Sequence, residues 1–238
     1  MRLFRAGGLF AAVIGILLVS GCSSGATEKI RYKMIIEVET PQGLRSGYAV
    51  REVTFSEGYQ GPSIGEDRGS ITVKGEAVAV DLPKGQTLFA LLTASGGDVD
   101  YGARIFDRAF DWYPAYAKEE PTASSSLSSI ELWPTAPNTV GLQNSDPLPK
   151  LVRFANIKDP KTVEEVKPDA LDKVFGPGVK LKAITIQATN EPVTTGIEKR
   201  LAWLGDKSVM NNPNWVKLPY ESRIAINGLF SGTIGTRK

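Results

Sequence analysis

Two residues have the type and setting that nucleophilic chemistry would need. Cys22 is the only thiol in the chain, and Ser63 stands in Gly61-Pro62-Ser63-Ile64-Gly65, which fits the G-x-S-x-G pattern of a nucleophile elbow. A serine at an elbow needs a strand before it, a helix after it and a histidine to take its proton. The chain has no histidine. Ser–His–Asp and Cys–His sites are therefore impossible, as are histidine-ligated zinc sites. The flank SEGYQGPSIGEDRGS is rich in Gly and Ser without a helical period, so it reads as a loop between strands. Ser63 is expected not to be a nucleophile. Lys74 is the one nearby base, and it falls on an expected strand.

Carboxylates need no histidine for glycoside chemistry. Asp107, Asp111, Glu119, Glu120 and Glu131 cluster in sequence near an aromatic-bearing stretch, but none forms a recognisable pair, and surface solvation explains each. Asp98 and Asp100 could begin a calcium loop, yet the further ligands at that spacing are missing. They serve better as the amino-terminal cap of a helix. No metal site and no cofactor are expected.

Cys22 is different because of what precedes it. Arg2 and Arg5 are followed by an apolar or Gly run from Gly7 to Val19, then by Val19-Ser20-Gly21-Cys22. Charge, a short apolar core and small residues are the parts of a secretory signal. The run falls short of the ~20 residues a spanning helix needs. Val19 to Cys22 resembles the lipobox of bacterial lipoproteins. That resemblance implies cleavage before Cys22, removal of residues 1–21, and a diacylglycerol on the Cys22 thiol. It also implies anchoring in the bacterial cell envelope, and Ser23, where an inner-membrane signal would carry Asp, favours the periplasmic face of the outer membrane. Residues 22–29 then read as a flexible tether.

Removing residues 1–21 takes away Arg2 and Arg5, leaving 217 residues with 26 basic and 26 acidic side chains. That balance gives no electrostatic case for binding nucleic acid. With Cys22 acylated, no internal disulfide can form.

The elements that must position any site follow from periodicity. Tyr32, Met34, Ile36 and Val38 alternate with polar residues, which predicts a strand; Thr40-Pro41-Gln42-Gly43 is a turn; Ala49, Val53 and Phe55 share one face of the returning strand. The apolar parity changes across Gly75 between Ile71/Val73 and Val78/Val80, which predicts a bulge or tight turn there. Gln86–Ala94 is a continuous apolar run, short enough for a buried strand, with a helix as the alternative. Asp98–Phe110 shifts to spacings of three and four, the best helix in the chain. Residues 111–149 hold six prolines and no period. Lys150–Asn156 and Val179–Asn190 are expected strands, the latter with apolar residues on both faces: Val179, Leu181 and Ala183 against Ile184, Ile186 and Ala188. Short helical turns are expected after Pro160, over Pro168–Phe175 and in GIEKRLAWLGD, with a short strand near Arg223–Ile226.

The expected fold class is α+β, mainly antiparallel β with one main helix and a long irregular loop at 111–149, in a single domain over 30–238. Blocks such as LVRFANIKDPKTVEEV and FGPGVKLKAITIQATNEPVTTGIEKRLAWL resemble a widespread group of uncharacterised proteobacterial proteins, which implies one recurring unit and supplies no residue roles.

Trp112, Tyr113, Tyr116 and Trp133 lie in the long irregular stretch and are the candidate contact residues. Large amphipathic rings either pin a loop to its domain or meet a partner. Trp112, next to the main helix, is expected to pin; Trp133, between Ser-rich and Pro-rich stretches, is the better contact. The favoured function is a non-catalytic, membrane-anchored envelope lipoprotein contacting a protein partner or cell-wall polymer. A carboxylate-dependent glycan-acting enzyme and a small-molecule carrier are the alternatives.

Overall fold

The structure is a computed structural model that describes residues 27–56, 70–95, 101–110, 129–133, 148–204 and 217–230. It is β-rich and antiparallel. Among the described residues nine strands form two sheets: β1 (Thr27–Thr40), β2 (Gly43–Ser56), β3 (Ser70–Lys74), β9 (Lys180–Ala188) and β6 (Ser129–Trp133) in the order β3-β2-β1-β9-β6, and β4 (Val78–Leu82), β5 (Gln86–Ala94), β7 (Pro149–Phe154) and β8 (Val163–Glu165) in the order β4-β5-β7-β8.

β1 is the centre of the first sheet because its alternation is the cleanest in the chain. Tyr32, Met34, Ile36 and Val38 are all fully buried. The turn to β2 is closed by Thr40, whose hydroxyl donates to the Gly43 carbonyl at 2.7 Å and accepts from the Gln42 N–H at 3.2 Å. Gly43 takes φ 102°, a conformation that favours glycine. β1 begins at Thr27, so the last three residues of the stretch read as tether are strand.

The parity change at Gly75 marks more than a bulge. β3 ends at Lys74 and pairs with β2, whereas β4 starts at Val78 and pairs with β5, so the chain changes sheets across Gly75. Gly75 sits at φ 147° with room for no side chain, since a Cβ there would meet Arg51 Cγ at 2.9 Å. At Gly47 the sheets approach closely: an added Cβ would lie 2.1 Å from the Ala79 carbonyl oxygen. Glycine is thus what lets β4 cross the inner face of β2.

One core lies between the sheets. Met34, Ile36, Val53, Ile184 and Ile186 of the first sheet meet Val78, Val80, Leu88, Ala90 and Leu151 of the second. A smaller core lies on the other face of the second sheet, where Phe89, Leu91, Val152 and Phe154 pack against Ile197, Leu201, Ala225 and Leu229. β5 is buried on both faces, which is why its sequence runs apolar without alternation.

Helix α1 (Tyr101–Phe110) packs on β5 and β3. Tyr101, Ile105 and Phe106 are buried in the main core, and a Cβ on Gly102 would lie 3.0 Å from the Leu92 carbonyl oxygen. Its expected caps, Asp98 and Asp100, lie outside the described residues. Helices α2 (Leu171–Phe175), α3 (Ile197–Arg200) and α4 (Tyr220–Asn227) complete the described helices, with single 3-10 turns at Pro83–Gly85, Pro160–Thr162 and Ala202–Leu204.

Two expectations are corrected. The segment around Arg223–Ile226 is helix α4, not a strand. Ile224 and Ile226 suggest alternation, but Ser222, Ala225, Ile226 and Leu229 are the buried residues, a spacing of three and four that lays one helix face on the second sheet. β9 is also not apolar on two opposed faces. Its register against β1 shifts between Glu37↔Ala183 and Val38↔Leu181, so one extra residue enters the strand at Lys182. This bulge flips the parity, and Leu181, Ile184 and Ile186 all reach the same core.

α4 is tied to the second sheet by charge. The Lys150 ammonium, 7% exposed, lies 3.1 Å from Glu165 and 3.0 Å from Glu221 of α4. Burial acts to lower the Lys150 pKa, but hydrogen bonds to Glu221 and Glu165 outweigh it and raise the value above the ordinary 10.5. Burial likewise acts to raise that of Glu165, and hydrogen bonds from Lys167 and Lys150 outweigh it and lower the value below 4.5. A depressed carboxylate contributes stability above its unfolded pKa and loses it as pH falls through the folded value. Acid unfolding monitored by circular dichroism should therefore show a loss of stability below about pH 4.5 that is smaller in Glu165→Gln. An unchanged acid limb in that variant would mean the cluster contributes nothing to the pH dependence.

Candidate functional site

The first sheet holds a charge in its core. Arg51 of β2 pairs with Tyr32 of β1, so both side chains point between the sheets, and both are 0% exposed. Arg51 Nε donates to the Glu76 carbonyl at 3.1 Å, Nη2 to the Ala90 carbonyl at 3.3 Å, and Nη1 to the Tyr32 hydroxyl at 3.4 Å. Tyr32 in turn donates to the Gly102 carbonyl at 2.6 Å. Burial pushes the Tyr32 hydroxyl above its ordinary pKa, only partly opposed by the Arg51 charge, so the phenol keeps its proton and its donor role. Glu76 belongs to the sheet crossover, Ala90 to β5 and Gly102 to α1. The guanidinium therefore fastens both sheets and the main helix at one point. It is enclosed and meets backbone carbonyls, which makes it a structural group.

The groups open to solvent converge elsewhere, at the end of the second sheet. The β4–β5 turn, the carboxyl end of β7 and the carboxyl end of α2 surround a half-open cleft of about 320 Å³. Phe154 and Phe175, both buried, give it an apolar floor, and Lys84, Gln86, Arg153 and Asn156 give it polar walls. Arg153 is held rigidly: Nε and Nη2 lie 2.8 and 2.7 Å from one Glu164 oxygen, Nη1 donates to the Val174 carbonyl at 3.1 Å, and the guanidinium sits 5.9 Å from the Phe175 ring centre. Among the described residues that line the cleft, Lys84 and Arg153 are cationic and none is acidic, and the Arg153 charge is paired with Glu164 just outside the lining. Among the described residues no group of three or more acidic, Cys or His side chains is arranged to hold a metal.

The cleft is built from three segments far apart in sequence, which is why reading along the chain missed it. Pro83-Lys84-Gly85 was legible only as a turn, and Arg153 only as a polar position in a strand. Arg51 did leave a signal: it has the same parity as Ala49, Val53 and Phe55, the face expected to be buried.

Of the aromatic candidates, Trp133 ends β6. It is half-buried against the main core, and its indole N–H donates to the Leu181 carbonyl at 3.4 Å. It does not line the cleft. Trp112, Tyr113 and Tyr116 lie outside the described residues, as do Cys22 and Ser63. Of the carboxylates, Glu131 is exposed on β6, Asp107 lies in α1, and Asp111, Glu119 and Glu120 are outside the described residues.

Fold and site together define a two-sheet antiparallel architecture with a cleft at one sheet end whose described lining includes Lys84 and Arg153 and no acidic residue. Comparison with family models, with curated proteins and with solved structures gives no match. The functional reading therefore rests on the residues themselves.

Proposed function

We propose that this chain is a lipid-anchored protein of the bacterial cell envelope, a non-catalytic binding module held by Cys22. The observation that carries the reading is the arrangement of Val19-Ser20-Gly21-Cys22 after a short apolar run and immediately before the folded domain. Only residues 23–26 separate Cys22 from Thr27, the first residue of β1. Even fully extended, that link spans at most about 18 Å. An acylated Cys22 would hold the β1 end of the first sheet next to the bilayer. Two or three acyl chains suffice for firm anchoring, at about 0.8 kcal/mol per buried CH₂.

In this reading the mature part is one α+β domain with α1 as its main helix. The stretch 111–149, expected as an irregular loop, contributes strand β6, which pairs with β9, and the first residue of β7. Trp133, Trp112, Tyr113 and Tyr116 remain the candidate contacts for an envelope protein or cell-wall polymer. Binding is favoured over catalysis because the cleft offers cations and hydrogen-bonding groups but no acid–base pair.

Cys22→Ala expressed in a bacterial host should lose metabolic lipid label and leave the membrane fraction, or accumulate as uncleaved precursor. Equal labelling of the wild type and Cys22→Ala would overturn the anchor.

A further inference from the structure

We propose that the cleft between the β4–β5 turn and α2 recognises a small ligand bearing a carboxylate beside an N–H or O–H donor. This rests on reading the cleft as a binding site and is independent of the lipid anchor.

Three observations converge. The first is Lys84. Among the described residues it is the only non-glycine residue with positive φ, at 63°. An L side chain in the left-handed region costs about 1–2 kcal/mol, which Gly or Asn at this turn position would largely avoid. The side chain is exposed and has no ion-pair or hydrogen-bond partner among the described residues. A strained residue kept as Lys, with its ammonium unpaired at the mouth of a cleft, points to a use for the charge.

The second is Gln86, two residues on. Its Oε1 is buried and has no donor. A buried acceptor left unpaired is unfavourable, and because Gln86 is only half-buried and lines the cleft, rotation of its side chain toward the cleft would let a ligand N–H or O–H satisfy it. The third is the remaining wall. Arg153 is locked by Glu164, whose carboxylate balances its charge, and by the Val174 carbonyl, so it forms a rigid planar wall and leaves Lys84 as the unpaired cation of the lining. A carboxylate meeting Lys84, a neighbouring donor meeting Gln86, and an apolar portion on Phe154 and Phe175 would use each group once. A volume of about 320 Å³ fits a ligand the size of an acylated amino acid or one sugar ring.

The terminal residue of a peptide and a uronic acid share this chemistry, and calorimetric titration of the full-length protein in detergent distinguishes them. N-acetylalanine stands for the peptide end, N-acetylalaninamide for the same molecule without its carboxylate, and glucuronate for the sugar. At least one of the two carboxylates should bind. N-acetylalanine binding should exceed that of its amide by about tenfold or more if the peptide end is the ligand; tighter binding of glucuronate assigns the sugar.

Lys84→Asn should weaken the carboxylate by about tenfold while its melting temperature stays equal or rises, because Asn tolerates the turn better. Gln86→Leu should weaken binding and also raise the melting temperature of the ligand-free protein. A purely structural role for these side chains would instead lower both melting temperatures. The proposal is overturned if neither carboxylate binds at about 10 mM, weaker than useful recognition. It is equally overturned if N-acetylalanine and its amide bind alike with glucuronate silent, or if Lys84→Asn binds as the wild type does.

Discussion

Arg51→Ala should destabilise the domain by about 3–5 kcal/mol, the largest effect expected from any single polar residue described here. The substitution leaves a cavity where a fully buried side chain stood, and it strips donors from the carbonyls of Glu76 and Ala90 and from the Tyr32 hydroxyl. Each orphaned buried acceptor adds about 1–3 kcal/mol when nothing replaces its donor. Arg51→Met separates volume from hydrogen bonding. It refills much of the space and removes the desolvated charge, so it should be more stable than Arg51→Ala. Tyr32→Phe tests the far side of the network and should cost less, since it removes only the bond to Gly102 and one acceptor for Arg51. Urea unfolding of the three variants gives the order. If Arg51→Ala falls within about 0.5 kcal/mol of wild type, as an ordinary surface change would, Arg51 is not at the junction of the sheets.

Phe106→Ala should cost about 3–5 kcal/mol. Phe106 is 2% exposed, and its ring stacks on Tyr32 with centroids 6.0 Å apart. It lies in the shared core with Tyr101 and Ile105 and stacks on the Tyr32 ring whose hydroxyl bonds Gly102. Truncation removes ring contacts with both the central strand and the helix seat. At this chain length a loss of 1 kcal/mol moves the melting temperature by about 2–4 °C, so the shift is easily read. Arg104, exposed on the opposite face of the same helix, provides the comparison: Arg104→Ala should cost much less than Phe106→Ala. Equal effects at 104 and 106 would mean that α1 does not present this face to the core.

Much of the architecture could be read along the chain wherever burial is one-sided. Tyr32 to Val38 alternate because only one face of β1 meets the core, and the hairpin at Thr40–Gly43 carries its own turn chemistry. β5 was recognisable for the opposite reason, since burial on both faces removes the alternation. The failures have equally local causes. A single inserted residue at Lys182 inverts the parity of β9, so a strand with one buried face looked as though it had two. Ile224 and Ile226 imitate a strand, and only packing on the second sheet shows that Ser222 and Ala225, weakly apolar residues, form the buried stripe with Ile226. The change of sheet at Gly75 appeared as a parity shift without its meaning, because pairing partners are not encoded locally.

The candidate site divides the same way. The proposed anchor rests on one contiguous motif, Val19 to Cys22, which needs no tertiary structure to be noticed. The cleft is assembled from residues 84–89, 153–157 and 175, and nothing in any one of those segments announces the others. Arg51 lies between these cases: its parity was visible, but a buried guanidinium satisfied by backbone carbonyls requires knowing which carbonyls the second sheet brings near. For Trp133 the structure adds a setting that composition does not give. An aromatic in a Ser- and Pro-rich stretch suggests contact with a partner, and the structure shows the indole hydrogen-bonded to β9 and packed on the core.

Intact-mass and amino-terminal peptide analysis of the protein purified from bacterial membranes tests the central claim most directly. The account predicts a mature chain that begins at Cys22, lacks residues 1–21, and carries on its first residue the added mass of a thioether-linked diacylglycerol. A chain that begins elsewhere, or an unmodified Cys22 thiol in membrane-purified protein, would contradict it.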